Sequence, residues 1–282
     1  MIIWLASYPK SGNTWVRSII SALLFTNDGK FNFGLIKNIK QFPIKEFFEN
    51  FTNDFGNFNE IKKYWISAQE AINIDKKVKF FKTHHLNCKI DNYNFTNSKN
   101  TLATIYIVRD PRNLVSSISN HYSKTLEEAK NFLVTPRFIA GHKKESISRD
   151  KNLKTLIGTW SEHYNFWKKN NKNFLLIRYE DLIYNPEEQL KKIINFLSKF
   201  IIVNTNEEKN KKIIETTSFE NLKKLENLGT FNENAYENSE KKINFFYLGP
   251  NNNWQKNLDN QIKNEIEEKF SKEMRELNYL EN

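Results

Sequence analysis

The sequence predicts an α/β fold, in which a central and mostly parallel sheet is covered by helices on both faces as a three-layer sandwich. The first observation behind this prediction is that short, strand-like runs alternate with longer segments whose apolar residues recur at helical spacing. The second is that no stretch rich in Pro, Gly or Ser divides the 282 residues. We therefore expect a single domain over residues 1–282, with loops inserted between its elements.

Four segments of six or seven residues predict the strands of this sheet. Residues 2–8 and 102–108 are almost entirely apolar, as strands buried on both faces are. The second of these is also rich in β-branched residues, which favour extended backbone. The four predicted strands are residues 2–8, 77–83, 102–108 and 174–179.

Helices are predicted between and after these strands. The first covers residues 14–25, with Asn13 or Thr14 as its cap. Residues 27–75 predict only short helices and loops, and residues 123–151 predict a polar, mobile segment. Further helices are predicted over residues 113–122, 153–168, 185–197, 207–215, 219–228 and 258–277.

The charge balance indicates an anionic partner but does not determine its chemical class. Lys and Arg number 43 against 33 Asp and Glu, which gives a formal charge of +10 and a pI of about 9.3. Nucleic acid, an anionic lipid surface and a phosphate- or sulfate-bearing small molecule are all compatible with this excess. On charge alone, a solvated lysine-rich surface is the favoured explanation.

Composition also excludes several kinds of site. One cysteine excludes an internal disulfide framework and a cysteine-based zinc finger. A metal site on His84, His85 and Cys88 has no supporting motif. No apolar run approaches the ~18 residues of a membrane helix, and no basic segment precedes the apolar start as it does in a signal peptide. We expect a cytoplasmic chain that uses no metal and does not enter a membrane.

The most informative segment is the octet at residues 8–15, Y-P-K-S-G-N-T-W, between the first predicted strand and the first predicted helix. Free backbone N–H groups and the positive end of the helix dipole converge at such a junction. Gly12 lets the backbone approach an anion, and Lys10 adds a positive charge. The octet is not the nucleotide loop G-x-x-x-x-G-K-[ST]. An ordinary strand–helix turn is the alternative.

This octet resembles the 5′-phosphosulfate loop of the cytosolic-type sulfotransferases, usually Y-P-K-S-G-T-T-W, with Asn13 where Thr is common. The resemblance implies a P-loop-like fold. It also implies that PAPS (3′-phosphoadenosine 5′-phosphosulfate) is the sulfuryl donor and that PAP is the nucleotide product. Other matches follow in family order over about residues 2–258: Lys82-Thr83-His84, Arg109 with Ser117, Tyr179-Glu180-Asp181, Thr217-Ser218-Phe219, and Gly249 with Trp254.

The resemblance also implies a role for each matching residue. His84 would be the general base, while Lys10 and Lys82 would neutralise the departing oxygen. The loop of Ser11, Gly12, Asn13, Thr14 and Trp15 would hold the phosphosulfate, and the 3′-phosphate would contact Arg109, Ser117 and Gly249. The adenine would be surrounded by Trp15, Tyr179 and Phe219, with Thr217 and Ser218 nearby.

Each of these residues also has an ordinary structural interpretation. His84 could be a solvated or core histidine, and His85 could be the base after a shift of one residue. Arg109 could form a surface ion pair at a strand end. Trp15 and Phe219 could be core aromatic residues.

The sequence departs from the family pattern in two places. The family loop begins Arg-Lys-Gly, whereas this chain has Tyr247-Leu248-Gly249, so both cations are absent and another lysine, such as Lys241 or Lys242, would be needed. The family's dimer motif has Thr-Val where this chain has Asp259-Asn260. The oligomeric state is therefore left open.

We expect a PAPS-dependent sulfotransferase that acts on a hydroxyl or amine of a small-molecule or carbohydrate acceptor. A P-loop-type nucleotide or small-molecule kinase is the alternative, although the G-K-[ST] pair is missing. A non-enzymatic nucleic-acid binder would need clustered cations with exposed aromatics, whereas the cations here are scattered. No nucleic-acid partner is therefore expected.

Overall fold

The computed structural model describes residues 1–139, 153–231, 235–237 and 241–281, with side chains for all of these except residues 235–237, 241 and 242. The strands are β1 (Ile2–Ser7), β2 (Lys40–Gln41), β3 (Lys79–Thr83), β4 (Lys89–Ile90), β5 (Tyr93–Asn94), β6 (Thr101–Val108), β7 (Phe138–Ile139), β8 (Thr155–Leu156), β9 (Phe174–Arg178), β10 (Ala235–Glu237) and β11 (Lys241–Ile243).

The helices differ in length from a single turn to about four turns. Short 3-10 helices occupy Leu35–Asn38, Lys45–Phe47, Lys62–Tyr64 and Gly249–Asn251. The α-helices are α1 (Asn13–Phe25), α2 (Phe58–Ile61), α3 (Trp65–Ile72), α4 (Pro111–Tyr122), α5 (Leu126–Val134), α6 (Trp160–Lys169), α7 (Tyr179–Tyr184), α8 (Pro186–Leu197), α9 (Glu207–Thr216), α10 (Phe219–Asn227), α11 (Trp254–Asn257), α12 (Asn260–Lys269) and α13 (Ser271–Glu276).

The central element is a parallel sheet of five strands in the order β2-β3-β1-β6-β9. β1 and β3 pair in register from Ile2 opposite Lys79 to Ala6 opposite Thr83. Every residue of β1 is buried, as its apolar run predicts. The α/β class and the parallel sheet are confirmed, and the two-residue edge strand β2 is an addition that the sequence did not predict.

The chain divides into two compact units. The first contains residues 1–8, 39–106 and 136–176, and the second contains residues 9–38, 107–135 and 177–282. A single domain over residues 1–282 stays a prediction beside this division.

Aromatic residues fill the core of the first unit. Trp4 lies on β1 with ring centroids 5.6 Å from Phe42, 5.8 Å from Phe95 and 6.0 Å from Trp167. All four side chains are fully buried. The indole N–H of Trp4 donates to the Thr101 hydroxyl at 2.9 Å, so the one polar atom of this ring has a partner.

Two buried histidines belong to the same unit. His85 is stacked on Phe95 with ring centroids 4.2 Å apart, and its Nδ1–H donates to the Leu86 carbonyl at 2.8 Å. Burial lowers the pKa of His85 to about 3, and burial likewise lowers that of His163 to about 3. Both rings are therefore neutral in the folded protein at ordinary pH.

A buried arginine organises one side of the second unit. Arg112 is the second residue of α4 and donates to Asp110 at 2.7 Å, to Glu267 at 2.6 Å and to the Tyr279 carbonyl at 2.8 Å. Its guanidinium carbon also lies 4.0 Å from the ring centre of Trp254. One side chain thus ties α4 to α11, α12 and the segment after α13, and its buried charge is paired with two carboxylates.

Two predicted segments are wrong in part. Residues 123–151 contain α5, whose capping box joins Thr125 and Glu128, and the strand β7; residues 140–152 lie outside the described part of the chain. The helix predicted over residues 153–168 begins only at Trp160, after the strand β8. Gly158, with φ of +62°, ends the extended segment before the helix.

Two element ends and one long predicted helix also differ from the prediction. The N-cap of α1 is Gly12 in the left-handed conformation, and neither Asn13 nor Thr14 caps it. The helix predicted over residues 258–277 is two helices, because the run is interrupted at Phe270. The fourth predicted strand ends at Arg178, since Tyr179 already begins α7.

Among the described residues, we find no helix that combines the length and the apolar character needed to cross a lipid bilayer.

The two buried histidines predict how stability depends on pH. Folded, they stay neutral down to about pH 3, whereas in the unfolded chain each takes up a proton near pH 6.5. Stability from this source is complete above pH 6.5 and is lost as the pH falls toward 3, by up to roughly 3 kcal/mol per pH unit for two protons. Urea unfolding at a series of pH values between 7 and 5 measures this slope.

The matched variant is His85→Phe, which keeps an aromatic ring beside Phe95 and removes one of the two titrating groups. Its slope should be smaller than that of the unaltered protein by up to about 1.4 kcal/mol per pH unit, the contribution of one proton. Equal slopes in the two proteins would contradict the assignment of His85 as a buried neutral ring.

Candidate active site

The carboxyl ends of β1 and β3 lie side by side because these strands are parallel neighbours in register. His84 follows β3 directly, and its Nδ1 lies 2.8 Å from the carbonyl oxygen of Ser7 and 3.2 Å from the Ser7 hydroxyl. A carbonyl only accepts, so Nδ1 carries the hydrogen. In the neutral ring, Nε2 is then the basic nitrogen of His84.

A second histidine fixes the backbone of His84. The Nε2–H of His163, on α6, donates to the carbonyl of His84 at 3.1 Å. Its Nδ1 therefore accepts from the hydroxyl of Tyr106, which lies 2.8 Å away. Burial raises the pKa of Tyr106 well above its ordinary value, so this hydroxyl keeps its proton. Lys82, also in this unit, is the half-buried fourth residue of β3 and lies opposite Leu5 of β1.

The loop that connects β1 with α1 belongs to the second unit from Pro9 onward. Lys10 and Gly12 have φ values of +67° and +103°, so the chain turns sharply before α1 begins. A Cβ added at Gly12 would lie 2.6 Å from Cδ2 of Tyr179, which only glycine avoids. Among the described residues, no side chain caps α1, so the positive end of its helix dipole faces this loop without a capping group.

The remaining residues of this loop are buried. Ser11, Asn13, Thr14 and Trp15 are all at most 8% exposed. The Ser11 hydroxyl has no hydrogen-bond partner among the described residues. Such a group costs about 1–3 kcal/mol unless a ligand satisfies it.

Arg109 follows β6 and reaches back to this loop. Its Nη1 donates to the carbonyl of Lys10 at 3.4 Å, and its guanidinium carbon lies 4.0 Å from the ring centre of Tyr179. The other side of Tyr179 meets Trp15, with ring centroids 5.5 Å apart in an edge contact. The Nε of Arg109 is buried and finds no partner within the described part of the chain. Loop, arginine and two aromatic rings thus form one cluster.

Two residues that the sequence did not single out hold the side chain of Lys10. Its Nζ lies 3.4 Å from Nδ1 of His121 and 3.5 Å from the ring centre of Phe245. An ammonium group only donates, so Nδ1 of His121 is the acceptor and the ring is neutral in this contact. His121 lies four residues after Ser117 on α4, so the two residues share one face of the helix. This spacing could have singled out His121 from the sequence.

Phe219 and Gly249 also meet in the second unit. Gly249 has φ of +54°, and a Cβ there would lie 2.1 Å from Cζ of Phe219. The segment before Gly249 is anchored by the buried Glu226, whose carboxylate accepts from the N–H groups of Phe245 at 2.6 Å and of Phe246 at 3.0 Å. The backbone therefore passes directly over the Phe219 ring.

Two of the predicted binding residues, Thr217 and Ser218, use their hydroxyls for hydrogen bonds at the ends of helices. The hydroxyl of Thr217 donates to the Ile213 carbonyl at 2.7 Å, and that of Ser218 caps α10 by accepting from the Asn221 N–H. Ser117 is half-buried in the middle of α4. The side chains of Lys241 and Lys242 lie outside the described residues.

Sequence reasoning also missed the buried carboxylate behind Arg109. Glu180 accepts from the Asp110 N–H at 3.0 Å and from the Tyr279 hydroxyl at 2.8 Å, and burial raises its pKa. Its tripeptide with Tyr179 and Asp181 was visible in the sequence, but nothing there pointed to Tyr279. In the described part of the chain, no three His, Cys, Asp or Glu side chains gather as metal ligands would.

Comparisons with known proteins identify the family. A family model described as "Sulfotransferase domain" matches residues 2–278. Sulfotransferase 1B1 of Canis lupus familiaris is 29% identical over 227 residues, which cover 78% of this chain and 66% of that protein. Cytosolic sulfotransferase 15 of Arabidopsis thaliana is 28% identical over 232 residues, 79% of this chain and 58% of that protein.

Solved structures agree in fold. A crystal structure of mouse sulfotransferase SULT7A1 complexed with PAP has a TM-score of 0.58 and 22% identity, over 97% of this chain and 84% of that one. A retinol dehydratase in complex with androsterone and PAP also has a TM-score of 0.58, with 14% identity over 97% of this chain and 80% of that one.

The chain spans about half to two thirds of the length of the curated relatives it matches. The family model, in contrast, covers nearly every residue of the chain. On that match, together with the sequence relatives, the chain belongs to the sulfotransferase family.

Proposed function

We propose that this chain is a PAPS-dependent sulfotransferase. The observation that carries the proposal is the cluster around the β1–α1 loop, where α1 begins without a side-chain cap and two buried donors have no partner among the described residues. A site with unmet donors and a nearby cation is suited to an anion of several oxygens. Because the chain belongs to the sulfotransferase family, the phosphosulfate of PAPS is the simplest identity for that anion.

The residues present fit the donor molecule. The Ser11 hydroxyl and the Arg109 Nε are buried without a described partner, and both can donate to phosphate oxygens. At Gly12 and Gly249, the rings of Tyr179 and Phe219 occupy the space that a side chain would fill, so these two aromatic rings pack directly on the backbone. When bound, PAPS supplies the sulfuryl group and leaves as PAP.

We assign the nucleotide to the following side chains. The loop of Lys10, Ser11, Gly12, Asn13, Thr14 and Trp15 holds the 5′-phosphosulfate. Arg109, Ser117 and the Gly249 backbone hold the 3′-phosphate. Trp15, Tyr179 and Phe219 pack around the adenine, and Thr217 and Ser218 contribute through the backbone at the start of α10, because their hydroxyls have helix partners.

We assign the proton transfer to His84. The hydrogen bond from its Nδ1 to Ser7 leaves Nε2 as the basic nitrogen, which is the arrangement a general base requires. The acceptor loses its proton to this nitrogen as the new S–O or S–N bond forms. Lys10 and Lys82 stabilise the negative charge that grows on the leaving phosphate oxygen. The acceptor is a hydroxyl or amine of a small molecule or carbohydrate.

Nucleotide binding tests the proposal most simply. Titration calorimetry with PAP, in buffer containing EDTA, should show one site per chain, because the donors at Ser11, Arg109 and Gly12 need no metal. ATP with Mg²⁺ is the matched ligand and should bind far more weakly. Tight binding of Mg·ATP with none of PAP would overturn the proposal in favour of a kinase.

His84→Asn tests the base. Asparagine keeps an N–H donor for the Ser7 carbonyl but has no basic nitrogen, so kcat should fall by about 10²–10⁴-fold while PAP affinity stays within about two-fold. Transfer from ³⁵S-labelled PAPS is measured with an acceptor found by screening phenols, alcohols, amines and sugars. His85→Phe serves as the control for disturbance of this segment. Unchanged kcat in His84→Asn would remove His84 from the base role.

Lys10→Met tests the charge at the leaving oxygen. The charge matters most as that oxygen becomes an anion, so kcat should fall by more than 10-fold and PAP affinity by much less. Lys30→Met, at an exposed lysine of the same unit, should change neither quantity. If Lys10→Met lowers PAP affinity and leaves kcat unchanged, the lysine acts only in ground-state binding.

A further inference from the structure

The segment 247–254 is held by contacts at both ends, and it has no Lys or Arg where the family loop that it resembles has two cations. Gly249 lies on the Phe219 ring at one end. At the other end, Asn252 donates to the Asn113 carbonyl at 2.7 Å and accepts from the Ser116 hydroxyl at 2.7 Å. The segment is thus fixed between α10, which carries Phe219, and α4, which carries Ser117. What it lacks is a cation, because Tyr247 and Leu248 occupy the positions of Arg and Lys in the family loop.

A lysine from α10 reaches this segment. Lys223 lies four residues after Phe219, so the two side chains emerge on the same face of the helix. Its Nζ donates to the carbonyl oxygen of Tyr247 at 3.3 Å. That distance is longer than the 2.7–2.9 Å of a strong charge-assisted hydrogen bond, so the contact with the carbonyl is weak. A negatively charged phosphate oxygen would attract this ammonium group more strongly than the neutral carbonyl oxygen does.

The surroundings of Lys223 have the size and charge for such a ligand group. A groove of about 460 Å³ is lined by Phe219, Lys223, Leu248 and Asn251, among others. It also has two further charged side chains, Lys224 and Glu220. Two lysines against one glutamate leave the groove net positive, while the half-buried Lys223 is more shielded from solvent than the exposed Lys224.

We propose that Lys223 supplies the positive charge at the 3′-phosphate of the nucleotide, in place of the cations missing at Tyr247 and Leu248. This inference rests on the proposed function, since it assigns one residue to the nucleotide site described above. Lys223 adds one cation to the residues already assigned to this phosphate, which are Arg109, Ser117 and Gly249. It is a binding residue and takes no part in the transfer step.

The experiment compares two nucleotides that differ only in the 3′-phosphate. Calorimetry with PAP and with adenosine 5′-monophosphate is carried out on the unaltered protein, Lys223→Met, Lys224→Met and Lys223→Arg. We expect Lys223→Met to weaken PAP binding by about 10-fold, the loss of one charge-assisted hydrogen bond, and to leave binding of the monophosphate within about two-fold. Lys224→Met should change PAP affinity by less than about two-fold, and Lys223→Arg should restore most of it.

The outcomes separate the two proposals. If PAP does not bind the unaltered protein, the proposed function fails and this inference fails with it. If PAP binds and Lys223→Met weakens both nucleotides equally, or weakens neither, only the assignment of Lys223 fails. An equal loss of PAP affinity in Lys223→Met and Lys224→Met would also overturn the assignment, because it would show a general effect of charge. A thermal melt followed by circular dichroism confirms that each variant is folded before titration.

Discussion

The parallel pairing of β1 with β3 is the constraint on which the candidate site depends. Its register brings Ala6 opposite Thr83, so the first residues after each strand emerge at the same edge of the sheet. The hydrogen bond from His84 to the Ser7 carbonyl is a direct consequence, and it sets which ring nitrogen is basic. A slip of one residue in this register would bring His85, now buried against Phe95, to the strand end.

The second unit is marked by a different feature, which is a pair of buried donors without a partner among the described residues. The Ser11 hydroxyl and the Arg109 Nε are buried without a described partner, although burying such groups costs free energy. Neighbouring contacts keep them in place: Tyr179 packs against both Gly12 and Arg109, and Glu180 behind it binds Asp110 and Tyr279. Folding stability that is lost at buried donors of this kind is typical of a site preorganised for a ligand.

Structural features that depend on residues close together in the chain were predictable from the sequence. The apolar runs gave β1 and β6 nearly to the residue, and the octet at residues 8–15 marked the loop that the structure builds before α1. Contacts between distant segments were not predictable in this way. Phe245 and His121 meet Lys10 only through folding, and Tyr279 reaches Glu180 from 99 positions away. The helix predicted from residue 153 failed because Gly158 and the Thr159 capping box override a continuous apolar stripe.

A crystal structure with PAP bound tests the central claim most directly. The claim predicts that the nucleotide lies against the loop before α1, with a phosphate oxygen within hydrogen-bond distance of the Ser11 hydroxyl and another within reach of the Arg109 Nε. Both buried donors would then have gained the partner that they lack among the described residues. A structure with the nucleotide bound elsewhere, or with these two donors still unsatisfied beside it, would contradict the claim.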